Sequence, residues 1–515
     1  MLAQVRSAAL WGLEAFPVEC EIDVGPGLPG FVLVGFADHA AREVRERVWP
    51  ALRNAGFLPA DRKVTVNLAP AERRKEGASC DLAVALGVLA ATSQVPGERL
   101  ARAAAIGELA LDGRLRGVRG TLGLAEVAWR AGATTLLCAA SAAPEAALVE
   151  SLTVLPVATL AEAAEWLRGG ERPPQTPAAP DGRPEKEEDL ADVRGQGMAR
   201  RALEIAAAGG HHLLMVGPPG PGKSMLAHRL PGILPPLTSA EALTVTRLLS
   251  AGGSRSPGLG LMVRRPFRSP HHSVTAAGLI GGSSPPRPGE LSLAHHGVLF
   301  LDELTEYARG LLDGLREPLE SGVVCLARAS GRATFPARAL LVAACNPCRC
   351  GWLGHPRRSC RCTPTEHHQH AARLAGPVLD RIDLQIEVPA LTSRELLAAT
   401  PGETSEAVRA RVLAARERQR ARGFANGLLP PAAMRQCCAL DPAGVRLMAD
   451  AVDRGGMSAR GVHRSLRVAR TLADLAEEER VSAARFAEAL QYRAFERRTG
   501  PGAGSRAGVD SPPRG

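Results

Sequence analysis

The sequence predicts an α/β protein in three parts: an α+β domain over residues 1–170, a parallel sheet with helices on both faces over 190–392, and a helical unit over 393–499. Three observations carry this. Residues 170–189, GERPPQTPAAPDGRPEKEED, hold almost nothing that can enter a core, so 171–189 read as a flexible linker. Beyond them, short apolar runs alternate with helical patterns, as in a parallel sheet buried on both faces. From Ser393 the pattern turns helical and Arg-rich, with breaks near Gly423–Pro431 and at Gly455-Gly456.

Taken in order, Val18–Val24 and Phe31–Val34 read as strands joined by the turn Gly25-Pro26-Gly27. Asp38 caps a helix reaching about Asn54, with Pro50 as a kink or end. Lys63–Leu68 is a strand and Ser79–Ala91 a buried helix. Ala105–Leu111 and Arg114–Val118 flank Asp112-Gly113, a hairpin signal. Thr121–Arg168 adds helix, strand, strand and helix. After the linker come a helix at Ala199–Ala208, a strand at His212–Val216, a helix from Lys223, and strands at Val298–Leu301 and Ala339–Ala344. Residues 500–515 have the composition of a disordered tail.

The chain has 515 residues and is 45% apolar but only 3% aromatic, so its cores must be built from Ala, Val and Leu. Lysine occurs only at Lys63, Lys75, Lys186 and Lys223 among 63 basic residues, which makes each lysine informative. The net charge of +10 permits nucleic-acid binding without requiring it. No run of about 18 apolar residues suggests a membrane span. Met1–Phe16 lacks the pattern of a signal peptide, so the expected location is cytoplasmic.

Residues Gly217-Pro218-Pro219-Gly220-Pro221-Gly222-Lys223-Ser224 fit G-x-x-x-x-G-K-[ST]. Glycines let backbone N–H groups curl around phosphate oxygens, and the following helix turns its positive end to the same anion. Lys223 is placed for the β/γ-phosphates and Ser224 for Mg²⁺. Gly297–Glu303 is an apolar strand ending in Asp302 and Glu303, at the sheet edge where ligands bind. Asp302 suits the Mg²⁺ shell and Glu303 suits deprotonation of an attacking water. Asn346, at the end of Ala339–Ala344, suits a contact to the γ-phosphate or to that water. Phosphoryl transfer also needs cations. Arg381, within Gly376–Asp383, is the candidate for an arginine reaching a neighbour's ATP, with Arg373 as the competitor. Arg460, in Ser458–Arg464, which opens a C-terminal helix, is the candidate for a sensor arginine reaching ATP from the lid, with Arg464 as the fallback.

Four segments together resemble the ComM/YifB type of magnesium-chelatase-like AAA+ proteins. They are Arg268–Ser273 with Thr275–Gly282, Gly289–Glu303, Cys345–Cys350 with Cys360–Cys362, and Ser458–Asp474. The resemblance covers the chain to about residue 498. It implies an AAA+ P-loop core over 190–392, a C-terminal helical lid over 393–499, and a cytosolic homo-hexamer. It also implies helicase and branch-migration activity on DNA in natural transformation and homologous recombination. The N-terminal 1–170 resembles a Lon-protease-like domain of the ribosomal S5 domain 2-like fold. Ser79 falls where that family has its nucleophile, but the position of the partner lysine is Leu122, and arginine cannot serve as base. The domain is therefore expected to lack protease activity, with Ser79 as a helix N-cap.

Cys348-x-Cys350 and Cys360-x-Cys362 supply four thiols, with Cys345 as a spare. Structural zinc and reduced, unliganded thiols both fit that pattern. Residues 250–296 gather Arg264, Arg265, Arg268, His271, His272, His295 and His296. They read either as a basic pore loop for a phosphate backbone or as structural residues near the nucleotide edge. The six arginines of Arg409–Arg422 read as a solvated helix face, with DNA contact as the alternative. A chelatase-type or chaperone-type ATPase that remodels a partner protein is the competing function.

Overall fold

The computed structural model describes residues 2–34, 38–58, 62–73, 75, 78–171, 179–181, 188–255, 259–328, 331–374, 378–391 and 402–493. Most of the linker, Gly376, Pro377, Ser393 and the tail fall outside them.

The N-terminal part is a seven-stranded mixed sheet. Its spatial order is Gly30–Val34, Lys63–Ala69, Glu14–Gly25, Leu2–Trp11, Ala103–Ala105, Thr135–Ala139, Thr153–Val157. Leu2–Trp11 pairs antiparallel with Glu14–Gly25 from Leu2↔Asp23 to Trp11↔Glu14, and alternating side chains serve two cores. Val5 and Ala9 join one core with the helices Asp38–Asn54, Asp81–Ala91 and Leu160–Leu167, while Ala8 joins the other with Thr121–Arg130. Every residue of Asp81–Ala91 is buried, which is why that helix is apolar all round. Ser79 does not cap it: Cys80 occupies that position without a side-chain bond, and the Ser79 carbonyl accepts from Gly107 N–H.

Beyond the linker is a five-stranded, all-parallel sheet in the order Phe267–Arg268, Val298–Leu301, Leu340–Cys345, Leu213–Val216, Leu384–Glu387. Successive residues of each strand enter opposite cores. Leu213 and Met215 face one with Val298 and Phe300; Leu214 and Val216 face the other with Leu299 and Leu301. That burial on both sides explains the unbroken apolar runs. Three C-terminal helices, Ser405–Ala421, Ala459–Leu475 and Ala483–Gln491, pack into the first of these cores beside Gly197–Gly209 and Lys223–Ile233. Part of the linker is structured: Ala179–Asp181 pairs in parallel with Leu259–Met262.

The two sheets are joined through the helix Ser239–Gly252. Ser250 Oγ accepts from Gly120 N–H (2.9 Å) and donates to Glu145 Oε1 (2.5 Å), and Arg247 grips both carboxylate oxygens of Glu126 at 2.5 and 2.6 Å. The predicted lysine position, Leu122, is buried core, and its N–H also donates to Glu145.

Candidate nucleotide site

Three parallel strands bring their C-terminal ends together, and the predicted residues sit on those ends. The strand Leu213–Val216 runs into Gly217–Gly222 and then the helix Lys223–Ile233. Gly220 and Gly222 take φ of +92° and +90°, which only glycine adopts without strain. At Gly217 an added Cβ would lie 2.1 Å from the Val388 carbonyl oxygen, so no side chain fits. Lys223 is buried. Its Nζ donates to the carbonyls of Gly217 (2.7 Å) and Pro218 (2.8 Å) and to Asn346 Oδ1 (3.2 Å). Burial pushes its ammonium below the ordinary 10.5, against the opposing pull of the charges around it, Asp302 and Glu303 included.

Ser224 Oγ donates to Asp302 Oδ2 at 2.7 Å, joining the two groups predicted to share Mg²⁺. Glu303 sits in the left-handed region at φ +51°, ψ +50°, a conformation that costs an L-residue about 1–2 kcal/mol. Its N–H donates to Asp302 Oδ1 (2.9 Å), and its carboxylate is more than half exposed at the open side of the pocket. Asn346 is held from behind by His370 Nε2 on its carbonyl (2.9 Å). Lys223, Ser224, Asp302, Glu303 and Asn346 therefore converge on one pocket. Its glycine cradle, buried ammonium and hydroxyl–carboxylate pair fit a nucleotide triphosphate with a divalent cation.

The arginines converge elsewhere. Arg381 pairs with Glu320 of the same chain and is largely buried. Arg460 and Arg464 approach Asp380 at 3.7 and 3.9 Å, so both flank the turn that carries Arg381. Arg373 stands exposed at the end of the helix Pro364–Leu374.

The four predicted thiols also come together. The sulfurs of Cys348, Cys350, Cys360 and Cys362 all lie within 4.8 Å of one another, with 348–350 and 350–360 at 3.4 Å and 348–360 at 3.6 Å. Tetrahedral zinc at a Zn–S distance of about 2.3 Å places its sulfurs about 3.8 Å apart, so the cluster has the right size. Backbone N–H groups of Arg361 and Trp352 pull the Cys350 thiol down to about 6, favouring the thiolate that a metal requires. Cys345 is not the spare ligand: it ends the buried strand Leu340–Cys345, and burial raises its thiol to about 12. Beside the cluster, Gly351 (φ +82°) rests on Pro219 of the phosphate loop, where an added Cβ would lie 2.9 Å from Pro219 Cδ.

Much of the predicted basic surface is spent inside the fold. Arg265 donates to the carbonyls of Pro235 and His296, and Arg268 forms a two-point pair with Glu290. His295 Nδ1 accepts from Arg338 N–H, and His296 pairs with Glu241. On the helix Ser405–Ala421, Arg411 grips Glu204 and Glu403, and Arg416 donates to the Ala207 carbonyl. Just past its end, Arg422 pairs with Asp474.

Two residues at this edge were read weakly from sequence: Tyr307 not at all, and His272 only among the residues taken for a basic pore loop or for structure near the nucleotide edge. Tyr307 OH donates to the Pro270 carbonyl (2.6 Å), and His272 Nδ1 lies 3.6 Å from Glu303 Oε2. The spacing of two parallel strands, one only two residues long, was the only signal for the second.

Comparison with known proteins agrees with this geometry. Residues 189–396 match the family model for magnesium chelatase, subunit ChlI; residues 20–142 match that for subunit ChlI of Mg-chelatase; residues 402–493 match its C-terminal model. Competence protein ComM of Haemophilus influenzae is 42% identical over 504 residues, which is 96% of this chain and 98% of that one. The chain belongs to the magnesium-chelatase-type AAA+ family. Its relatives there include the uncharacterized protein YifB of Escherichia coli, 41% identical over 503 residues with the same coverage. An uncharacterized protein of Mycobacterium tuberculosis is 43% identical over 498 residues, again with that coverage. A magnesium-chelatase-type AAA+ protein is expected to take ATP and Mg²⁺. Among the described residues no helix is long and apolar enough to cross a membrane.

Proposed function

We propose that this chain is a cytoplasmic ATP hydrolase that works as a ring-forming DNA motor. It would act as a hexameric helicase or branch-migration factor in natural transformation and homologous recombination. One observation carries the ATPase half: Lys223, Ser224, Asp302, Glu303 and Asn346, drawn from three strand ends, share one pocket. Bound Mg-ATP supplies the phosphoryl chemistry. The N–H groups of Gly220, Gly222 and the first turn of the helix from Lys223 would hold the phosphate chain, since Pro218, Pro219 and Pro221 have none, and Lys223 would exchange its carbonyl partners for phosphate oxygens. Ser224 and Asp302 hold the cation. Glu303 takes the proton of the attacking water, and Asn346 orients that water. Arg381, with Arg460 and Arg464 grouped around Asp380, serves the pocket of the adjoining subunit. The four cysteines hold a structural zinc, and the N-terminal domain is a protease-like fold without the reaction.

The DNA half rests on the relative named for competence and on the basic charge. A second reading, an ATPase that remodels a partner protein, is favoured by one observation: Arg265, Arg268, Arg411, Arg416 and Arg422 are engaged within the fold. Turnover measured with and without single-stranded or four-way-junction DNA separates the two. The motor reading requires stimulation and salt-sensitive binding; a rate indifferent to DNA sinks it and leaves the remodeller.

A further inference from the structure

We propose that the cysteine loop, Cys348–Cys362, is a contact for single-stranded nucleic acid whose occupancy is felt at the nucleotide pocket. This rests on the DNA reading of the function and names a surface for it outside the pocket.

Charge points to it first. From Ser321 to Thr365 the sequence holds seven arginines and no Asp or Glu. Four of them, Arg349, Arg357, Arg358 and Arg361, lie in the cysteine loop, and all four are exposed. Among the described residues the one carboxylate that pairs with any of these is Glu366, 3.6 Å from Arg349, whose side chain is still 79% exposed. Arg265, Arg268, Arg411, Arg416 and Arg422 differ, because carbonyls and carboxylates of the fold take up their charge. A cluster of unneutralised guanidinium groups suits phosphates, which arginine grips with its planar fork.

The loop is held in shape. The sulfurs of Cys348 and Cys360, 3.6 Å apart, close it. The N–H groups of Arg357 and Arg358 both donate to His355 Nδ1 at 3.1 Å, so the two side chains leave from one tight turn. The guanidinium carbon of Arg358 lies 4.3 Å from the ring centroid of the half-buried Trp352, which His355 meets edge-on at 5.1 Å. An aromatic ring set among cationic forks is a surface on which an unpaired base stacks while its phosphates are held. An acidic protein would use the charges and leave the ring idle. Two contacts carry the loop to the pocket. Gly351 rests on Pro219 of the phosphate loop. The helix Pro364–Leu374, which leaves the loop, sets His370 Nε2 on the Asn346 carbonyl at 2.9 Å, and its His367 Nε2 lies 3.5 Å from Cys360 Sγ. A strand drawn onto the arginines therefore bears on both the phosphate loop and Asn346.

The test uses the full chain and a fluorescent oligothymidine strand, with binding read against salt and ATP turnover read with and without saturating strand. Arg357→Gln/Arg361→Gln removes two phosphate contacts and should flatten the slope of log affinity against log salt by about 1.4, twice the ~0.7 that each contact to a single strand contributes. Trp352→Ala should weaken binding at least about fivefold, and Trp352→Phe, which keeps a ring, should recover most of that loss. Without DNA, turnover of Arg357→Gln/Arg361→Gln should stay within about twofold of wild type, which also reports that the variant is folded, while stimulation by the strand should fall below about half. A slope and a stimulation equal to wild type overturn the inference and leave the motor reading standing, the outcome expected if the loop meets an acidic protein instead. A flattened slope with full stimulation overturns it as well, because the link to the pocket is then missing. If wild type itself neither binds the strand nor responds to it, the motor reading falls first and takes the inference with it.

Discussion

Gly351→Ala should weaken nucleotide binding although residue 351 lies outside the nucleotide motifs. Two penalties meet there. The residue sits at φ +82°, which costs an alanine about 1 kcal/mol. The new Cβ would also stand 2.9 Å from Pro219 Cδ, where comfortable carbon contacts begin near 3.5 Å. Pro219 must then retreat by about half an ångström, and it belongs to the loop whose amides are to hold phosphate. Displacements of about 1 Å at reacting groups cost up to about a hundredfold, so we expect about a tenfold loss of affinity. Gly354 is the internal control. It lies in the same cysteine loop at φ +75° with nothing within 4 Å of its added Cβ. Gly354→Ala carries the backbone penalty alone and should change affinity less than about twofold. Titration of each variant with a fluorescent ATP analogue, beside thermal melts to match stability, reads the difference. Equal losses in the two variants would show that the cysteine loop does not bear on the phosphate loop.

Three further outcomes are expected. Lys223→Ala should abolish ATP binding, whereas Glu303→Gln should bind ATP normally and lose turnover by at least about a hundredfold, measured by analogue binding and phosphate release. The purified chain should carry one zinc per molecule by elemental analysis, and Cys360→Ser should lose it along with several degrees of melting temperature. His295 is buried and neutral, its pKa pulled from 6.5 to about 3 by burial first and then by the charges of His296 and Arg338. Its stabilising contribution is therefore whole above pH 6.5 and drains as pH falls toward 3, by up to about 1.4 kcal/mol per unit. His295→Asn, which keeps an acceptor for Arg338 N–H, should flatten that part of the stability–pH curve in denaturant titrations.

The legible parts of the sequence were those whose chemistry is local. A glycine-rich turn, a lysine and two carboxylates after an apolar run identify themselves by spacing, and the structure sets all of them around one pocket. Val298–Leu301 was legible because burial on both faces demands an unbroken apolar run. The missed strands lacked that feature. Phe267–Arg268 is too short to show a period, and Leu384–Glu387 carries Gln385 and Glu387. Leu2–Trp11 alternates too weakly, because Arg6 and Ser7 interrupt it. Charge misled for a different reason. An arginine paired across a hundred residues, as Arg247 is with Glu126, reads in sequence like a surface charge. Only the fold reveals its partner. The cysteine cluster was half legible: the two C-x-C pairs were found, but only the strand's reach decided that Cys345 belongs to the core.

The helix Ser239–Gly252 is a rigid rod about 20 Å long. Near its C-terminal end Arg247 and Ser250 are bolted to Glu126 and Glu145 of the N-terminal sheet domain. Near its N-terminal end Glu241 grips Arg265 and His296, at the root of the segment that leads to His272. A tilt imposed at one end must be felt at the other, because a hydrogen-bonded rod of fourteen residues transmits displacement instead of absorbing it. The two halves of the chain are thus geared through this strut, beside the contacts of Gly12 and Leu13 with the Gly331–Pro336 strand, and a push on the N-terminal domain arrives at His296, seven residues before Glu303.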